Sequence, residues 1–168
     1  VNGFSQATTT FVGQNFGARK YRRIRQSVWA CMIMSVSLVG VLSFLMVFFR
    51  HQILGIYTTD PEVIATGAII VASIVPFNAL FMPVEVFAGT MRGTGYSVMP
   101  TVITGTCVCL FRILWLSTVV RRWHTLGMLT VCYPISWALA ATVFFLVYLR
   151  GNWLKKRIAA CGWEPEIP

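Results

Sequence analysis

Residues 27–49 read SVWACMIMSVSLVGVLSFLMVFF, twenty-three positions without a charge. At 1.5 Å per residue, such a run can cross the hydrocarbon core of a bilayer as an α-helix. Three further runs behave alike. Residues 63–84 carry no charge, and the helix they announce extends to 87; residues 98–120 carry only Arg112; residues 125–149 carry none. Residues 1–18 read as the end of one more helix and the turn after it. The expected fold is all-α, a polytopic transmembrane helix bundle of four complete spans (27–49, 63–87, 98–120 and 125–149) plus the end of another.

Composition agrees. The 168 residues are 57% apolar and 11% charged, where a soluble domain carries about 25% charged residues. A soluble globular fold is excluded. The chain opens with Val1 inside what reads as a helix, so it is expected to be a fragment of a longer protein.

Several function classes fall away on residue types alone. The cysteines at 31, 107, 109, 132 and 161 form no C-x-x-C pair, and four lie within apolar runs, where a thiol is a small hydrophobe. His51 and His124 stand at different segment ends, so no metal site is expected. Asp60 is the only aspartate and has no nucleophile beside it, and no phosphate-loop motif occurs. Nothing supports an enzyme.

Arg19, Lys20, Arg22, Arg23 and Arg25 precede the first span. A basic cluster can signal nucleic acid, but beside a span it marks the cytoplasmic side, and no nucleic-acid partner is expected. Those five, Arg92, Arg150, Lys155, Lys156 and Arg157 make ten positives on one side, against Arg50, Arg121 and Arg122 on the other. Both chain ends are therefore expected in the cytoplasm, in a multi-pass protein of the cell (plasma or inner) membrane.

Local signals set the boundaries. Asp60-Pro61-Glu62 reads as an N-cap, a first-turn proline and a first-turn acid. The stretch 93–97 reads as a tight turn, with Ser97 capping the third span. Pro76, Pro83 and Pro134 fall inside spans, where each removes a backbone donor and favours a kink. Residues 150–168 form a cytoplasmic tail, whose segment 152–163 mixes aromatic, aliphatic and basic residues as an interfacial helix does.

An ionisable group at membrane depth costs roughly 2.5–3.5 kcal/mol on insertion scales, which makes it a functional candidate. Glu85 and Arg112 qualify. Glu85 lies roughly 10 Å along its helix from the Gly93 turn, and Arg112 about 22 Å past Ser97 on the next. Their bland readings are a headgroup-solvated carboxylate and a structural charge. Asn78, Phe77 and Phe81 join them as candidates for ion coupling or substrate contact, because Pro76 opens the helix beside them and aromatic faces hold cations. Trp115 and Trp137 also sit deep, whereas Trp29, Trp123 and Trp153 fit an interfacial belt. Gly13-Gln14-Asn15-Phe16-Gly17 and Gly89-Thr90-Met91-Arg92-Gly93 both fit G-x-x-x-G. Placed at segment ends, they are expected to shape turns.

Taken together, Asn2-Gly3-Phe4-Ser5-Gln6-Ala7, the run Phe11 to Ala18 and the basic cluster resemble the multidrug and toxic compound extrusion (MATE) transporters. The run Gly89 to Ser97 with Gly95, followed by Pro100, resembles the same family at a later turn. The resemblance covers nearly the whole chain. It implies a twelve-helix protein of two six-helix lobes, of which this chain would hold the end of the eighth helix and all of the ninth to twelfth. Its partners would be the N-terminal lobe of the same protein, membrane lipids and small cationic or amphiphilic substrates. The implied activity is export of drugs or organic cations, coupled to Na⁺ or H⁺, with no cofactor beyond that ion and alternating access between the lobes. Several relatives carry an acid where this chain has Phe81; Glu85, one turn further on, is the nearby carboxylate.

Two other readings remain. A flippase for lipid or polysaccharide precursors belongs to the same superfamily but would need several cavity cations, and Arg112 is one. A structural or channel-like membrane subunit would have no use for paired turn motifs.

Overall fold

The computed structural model describes residues 2–122, 125–150 and 152–162. Among them α1 is Asn2–Gly17, α2 Tyr21–Phe48, α3 Arg50–Tyr57, α4 Pro61–Ile74, α5 Asn78–Gly93, α6 Val98–Thr104, α7 Phe111–Trp115, α8 Leu126–Leu149 and α9 Asn152–Ala160. No strand occurs among the described residues. Four stretches are long and apolar enough to span a membrane: Tyr21–Phe48, Pro61–Gly93, Val98–Val120 and Leu126–Leu149.

Span number and order match the sequence reading, while the limits shift. The first span starts at Tyr21, so Arg22, Arg23 and Arg25 occupy its first turns. The extra helix α3 follows it, and its Leu54 packs 3.2 Å from where a Cβ on Gly67 would stand. At the start of α4 the Asp60 carboxylate accepts from the Glu62 backbone N–H at 2.9 Å, as expected of an N-cap. Ser97 does not cap: its backbone is already helical and its side chain makes no capping bond. Its carbonyl instead accepts from the Thr101 hydroxyl.

The three prolines differ in effect. At Pro76 the helix tightens into a single 3₁₀ turn, Val75–Phe77, between α4 and α5. Pro83 and Pro134 lie inside α5 and α8 without ending them. The expected kink is thus a break in the helix at one site of three. The third span holds a feature the sequence did not announce: π-helical stretches Gly105–Leu110 and Leu116–Val120 flank α7.

Packing is concentrated at one end of the bundle, the end that holds the α1–α2 and α5–α6 turns. There α5 is surrounded by α1, α2 and α8, and Met82, Val84 and every residue from Val86 to Met91 are buried. Val12, Phe16, Ile24, Val28, Phe144 and Ile158 complete this core. The apolar stretches of the second and third spans are sparsely covered, while the fourth buries Thr130, Cys132, Ser136 and Trp137 in its first half. Only 11% of the most apolar stretch of the second and of the third span is buried. Apolar surface on that scale needs lipid or further protein to cover it.

The tail is helical over Asn152–Ala160. Ile158 is fully buried and Leu154 packs against the core, so α9 docks on the bundle. Trp123, His124, Gly151, Trp163, Glu164 and Glu166 lie outside the described residues.

Candidate functional site

The two G-x-x-x-G stretches do more than shape turns. Helices α1 and α5 run parallel, and α5 presents its glycines to α1. A Cβ on Gly89 would stand 2.7 Å from the Ser5 carbonyl oxygen, and one on Gly93 2.6 Å from that of Thr9. A Cβ on Gly13 would meet the Gly93 carbonyl at 3.2 Å. The expectation that these glycines serve turns is corrected for Gly13, Gly89 and Gly93, which let two backbones touch. Gly17 has open space around it. Thr9 ties the seam by donating from its hydroxyl to the carbonyls of Ser5 and Gly89, at 2.8 and 3.2 Å.

Both motifs then end in one geometry. After α5 the Tyr96 N–H reaches back to the Met91 carbonyl and the Gly95 N–H to that of Arg92, each at 2.9 Å. After α1 the Lys20 N–H reaches the Asn15 carbonyl at 2.8 Å and the Arg19 N–H that of Phe16 at 3.0 Å. These are two Schellman caps, with Gly95 (φ 78°) and Arg19 (φ 57°) in the left-handed position. Gln14 is exposed, and Asn15 donates from its amide to the Phe11 carbonyl at 2.8 Å. Arg157 of α9 closes over the second cap: its Nε donates to the Thr94 carbonyl at 2.8 Å, and its guanidinium crowds Gly95.

Asn78, Glu85 and Arg92 follow at intervals of seven, which sets them on one face of α5. The α1 residue Ser5 sits against the lower part of that face. Its hydroxyl donates to the Glu85 backbone carbonyl at 3.3 Å and accepts from the Arg92 guanidinium at 3.4 Å. The Glu85 carboxylate is half-buried and, like the Asn78 amide, makes no hydrogen bond or ion pair among the described residues.

Arg112 is placed elsewhere, against α8. Its Nε donates to the Ser136 hydroxyl at 3.1 Å, and its guanidinium carbon lies 4.2 Å from the centre of the Tyr133 ring and 5.9 Å from that of Trp137. Phe81 packs on the same Trp137 at 5.6 Å between centroids. Phe77, in the 3₁₀ turn, is exposed. The structure therefore joins Phe81 to Arg112 through Trp137 and Tyr133, and it does not pair Arg112 with Glu85. Trp115 donates its indole N–H to the Met128 carbonyl at 2.9 Å, a structural tie between the third and fourth spans.

Sequence reading placed Ser5 in a family stretch without a contact role, and it missed Tyr133 and Ser136. A signal for the last two existed: Thr130, Tyr133 and Ser136 recur every three residues in an apolar helix, which marks a face turned toward protein. An open depression of about 400 Å³ on α4, lined by Glu62, Val63, Thr66, Gly67 and Ile70, lies at the sparsely packed end, apart from both charged groups. No group of three or more potential metal ligands occurs among the described residues.

Four apolar spans, a glycine seam and charged side chains within the spans define an all-α, multi-pass membrane protein. The family model described as MatE matches residues 1–116. The chain belongs to the MatE family. It is 27% identical over 159 residues to "Probable multidrug resistance protein YoeA" of Bacillus subtilis, covering 90% of this chain and 33% of that protein. It is 28% identical over 162 residues to "Probable multidrug resistance protein NorM" of Thermotoga maritima, covering 93% and 34%. A NorM of Mannheimia succiniciproducens is 32% identical over 91 residues, 52% of this chain and 19% of that protein. The chain thus spans about a third of the length of the first two relatives.

Proposed function

We propose that the chain forms the C-terminal part of a secondary active transporter that exports drugs or organic cations in exchange for Na⁺ or H⁺. Family membership and relatives named for multidrug resistance support the reading. The observation that carries it is the unequal packing of the spans, tight at the α1–α5 seam and sparse along the apolar stretches of the second and third spans. A lobe sealed at one end and open at the other can form half of a central cavity, with a second lobe as the other half. The ten-to-three charge bias favours the sealed end in the cytoplasm of a cell-membrane protein. Glu85 and Asn78 would supply oxygen ligands for the coupling ion, and Phe77 and Phe81 aromatic contact to the substrate.

Proteoliposomes holding the chain joined to its preceding lobe test this reading. An imposed Na⁺ or pH gradient should drive uptake or release of a cationic dye, and the 168-residue chain alone should drive none. Gradient-independent dye movement by the two-lobe protein, or equal transport by the chain alone, would overturn it.

A further inference from the structure

Among the fourteen Lys and Arg residues, Arg112 alone lies within the interior of a span. Its surroundings fix the guanidinium without neutralising it. The bond from Nε to Ser136 uses one donor, and Ser136 is itself held by donating to the Tyr133 carbonyl at 2.8 Å. The Tyr133 ring lies against the guanidinium plane. The two terminal nitrogens carry the other four N–H donors. Among the described residues these nitrogens make no hydrogen bond, and no carboxylate stands within ion-pair distance. The seat on α8 holds the side chain in place, half-buried, with its end-on fork free.

We propose that Arg112 is an oxyanion receptor, whose fork takes the carboxylate or phosphate of an amphiphile while Tyr133, Trp137 and Phe81 receive its apolar body. A guanidinium fork matches both oxyanions in a bidentate manner. A planar or aliphatic body fits the aromatic faces next to it, which are linked from Tyr133 through Trp137 to Phe81 by ring distances of 6.1 and 5.6 Å. As a substrate class this rests on the transport reading above and extends it to zwitterionic or anionic amphiphiles; as a binding site it stands without transport.

The test uses the two-lobe protein in a phosphate-free maltoside detergent, with dansyl-undecanoic acid and its methyl ester as fluorescent probes. Wild type should bind the acid about tenfold more tightly than the ester, because only the acid engages the fork. Arg112→Gln should abolish that preference, and Arg112→Lys should keep part of it, since a point charge attracts without the fork. Competition by short-chain phosphatidylglycerol distinguishes the source. If the Gln variant loses that competition but no acid preference existed, the occupant is a lipid phosphate and the receptor stands. If wild type and Gln variant treat acid, ester and phosphatidylglycerol alike, the proposal is overturned. Binding with the expected preference but without gradient-driven efflux would sink the transport reading alone.

Discussion

A Cβ added to Gly93 would stand 2.6 Å from the carbonyl oxygen of Thr9, so α1 and α5 touch backbone to backbone at the sealed end. Neither neighbour is a flexible side-chain tip that could swing away. Gly93→Ala, and Gly89→Ala with its 2.7 Å approach to the Ser5 carbonyl, should each cost about 1–3 kcal/mol, the usual range for overpacking. Gly17→Ala should cost nothing, since open space surrounds it. Thermal unfolding of the detergent-solubilised protein checks the contrast. Equal melting of all three variants would remove the seam from the account.

The twin caps give unequal expectations for their left-handed residues. Gly95→Ala places a Cβ at φ 78° and drives it into the Arg157 guanidinium 2.6 Å away, so a loss of about 1–2 kcal/mol is expected. Arg19 already bears the strain of φ 57°. Arg19→Gly should relieve it, so the variant should lose less stability than Gly95→Ala even though the side chain's own interactions go. Equal falls in melting temperature would contradict the matched geometry.

How much of this was legible beforehand follows from what each feature depends on. Uncharged runs revealed the spans, because a backbone in lipid has to satisfy itself and does so within one helix. The start at Asp60-Pro61 was legible for a similar reason: the cap is local, and its bond reaches two residues. The role of Gly89 and Gly93 was not, since a small residue shows its purpose only when the facing helix is in place. Arg19 hid a left-handed cap because arginine is not the residue type that signals one. The candidate site was legible in part. Glu85 and Arg112 stood out as charges within spans, but the choice of Tyr133 and Ser136 as partners for Arg112 is a tertiary fact, and the π-helical stretches around α7 have no sequence signature.

The docked tail yields a third expectation. Arg157 joins α9 to the turn through one charge-assisted bond to the Thr94 carbonyl, while Ile158 is buried beside it. Arg157→Ala should weaken this attachment by about 1–2 kcal/mol, with the buried isoleucine left to hold the helix. Trypsin should then cut faster at Lys155 and Lys156, and amide hydrogen exchange should quicken at Gly95 and Tyr96. Unchanged protection at both places would show that Ile158 alone secures α9.

The last expectation concerns Glu85, the acid placed farthest from any helix end among the described residues. Asp60 and Glu62 sit at the start of α4, where one caps and the other lies in the first turn. Glu85 instead shares a face of α5 with Asn78 and Arg92, at the level where Ser5 begins to cover that face. Its carboxylate has no protein cation on it among the described residues, as the proposed role of an ion ligand requires. Glu85→Gln keeps the shape, leaves the Ser5 bond to the backbone carbonyl intact and removes the charge. Expression and melting temperature should therefore hold, while the proposed gradient-driven efflux falls by about tenfold, within the usual range of coupling between two ligands. Glu85→Asp should retain part of the efflux, because the charge remains on a shorter arm. Efflux at the wild-type rate, with wild-type dependence on pH or Na⁺, would make Glu85 a surface carboxylate on the packing face of α5.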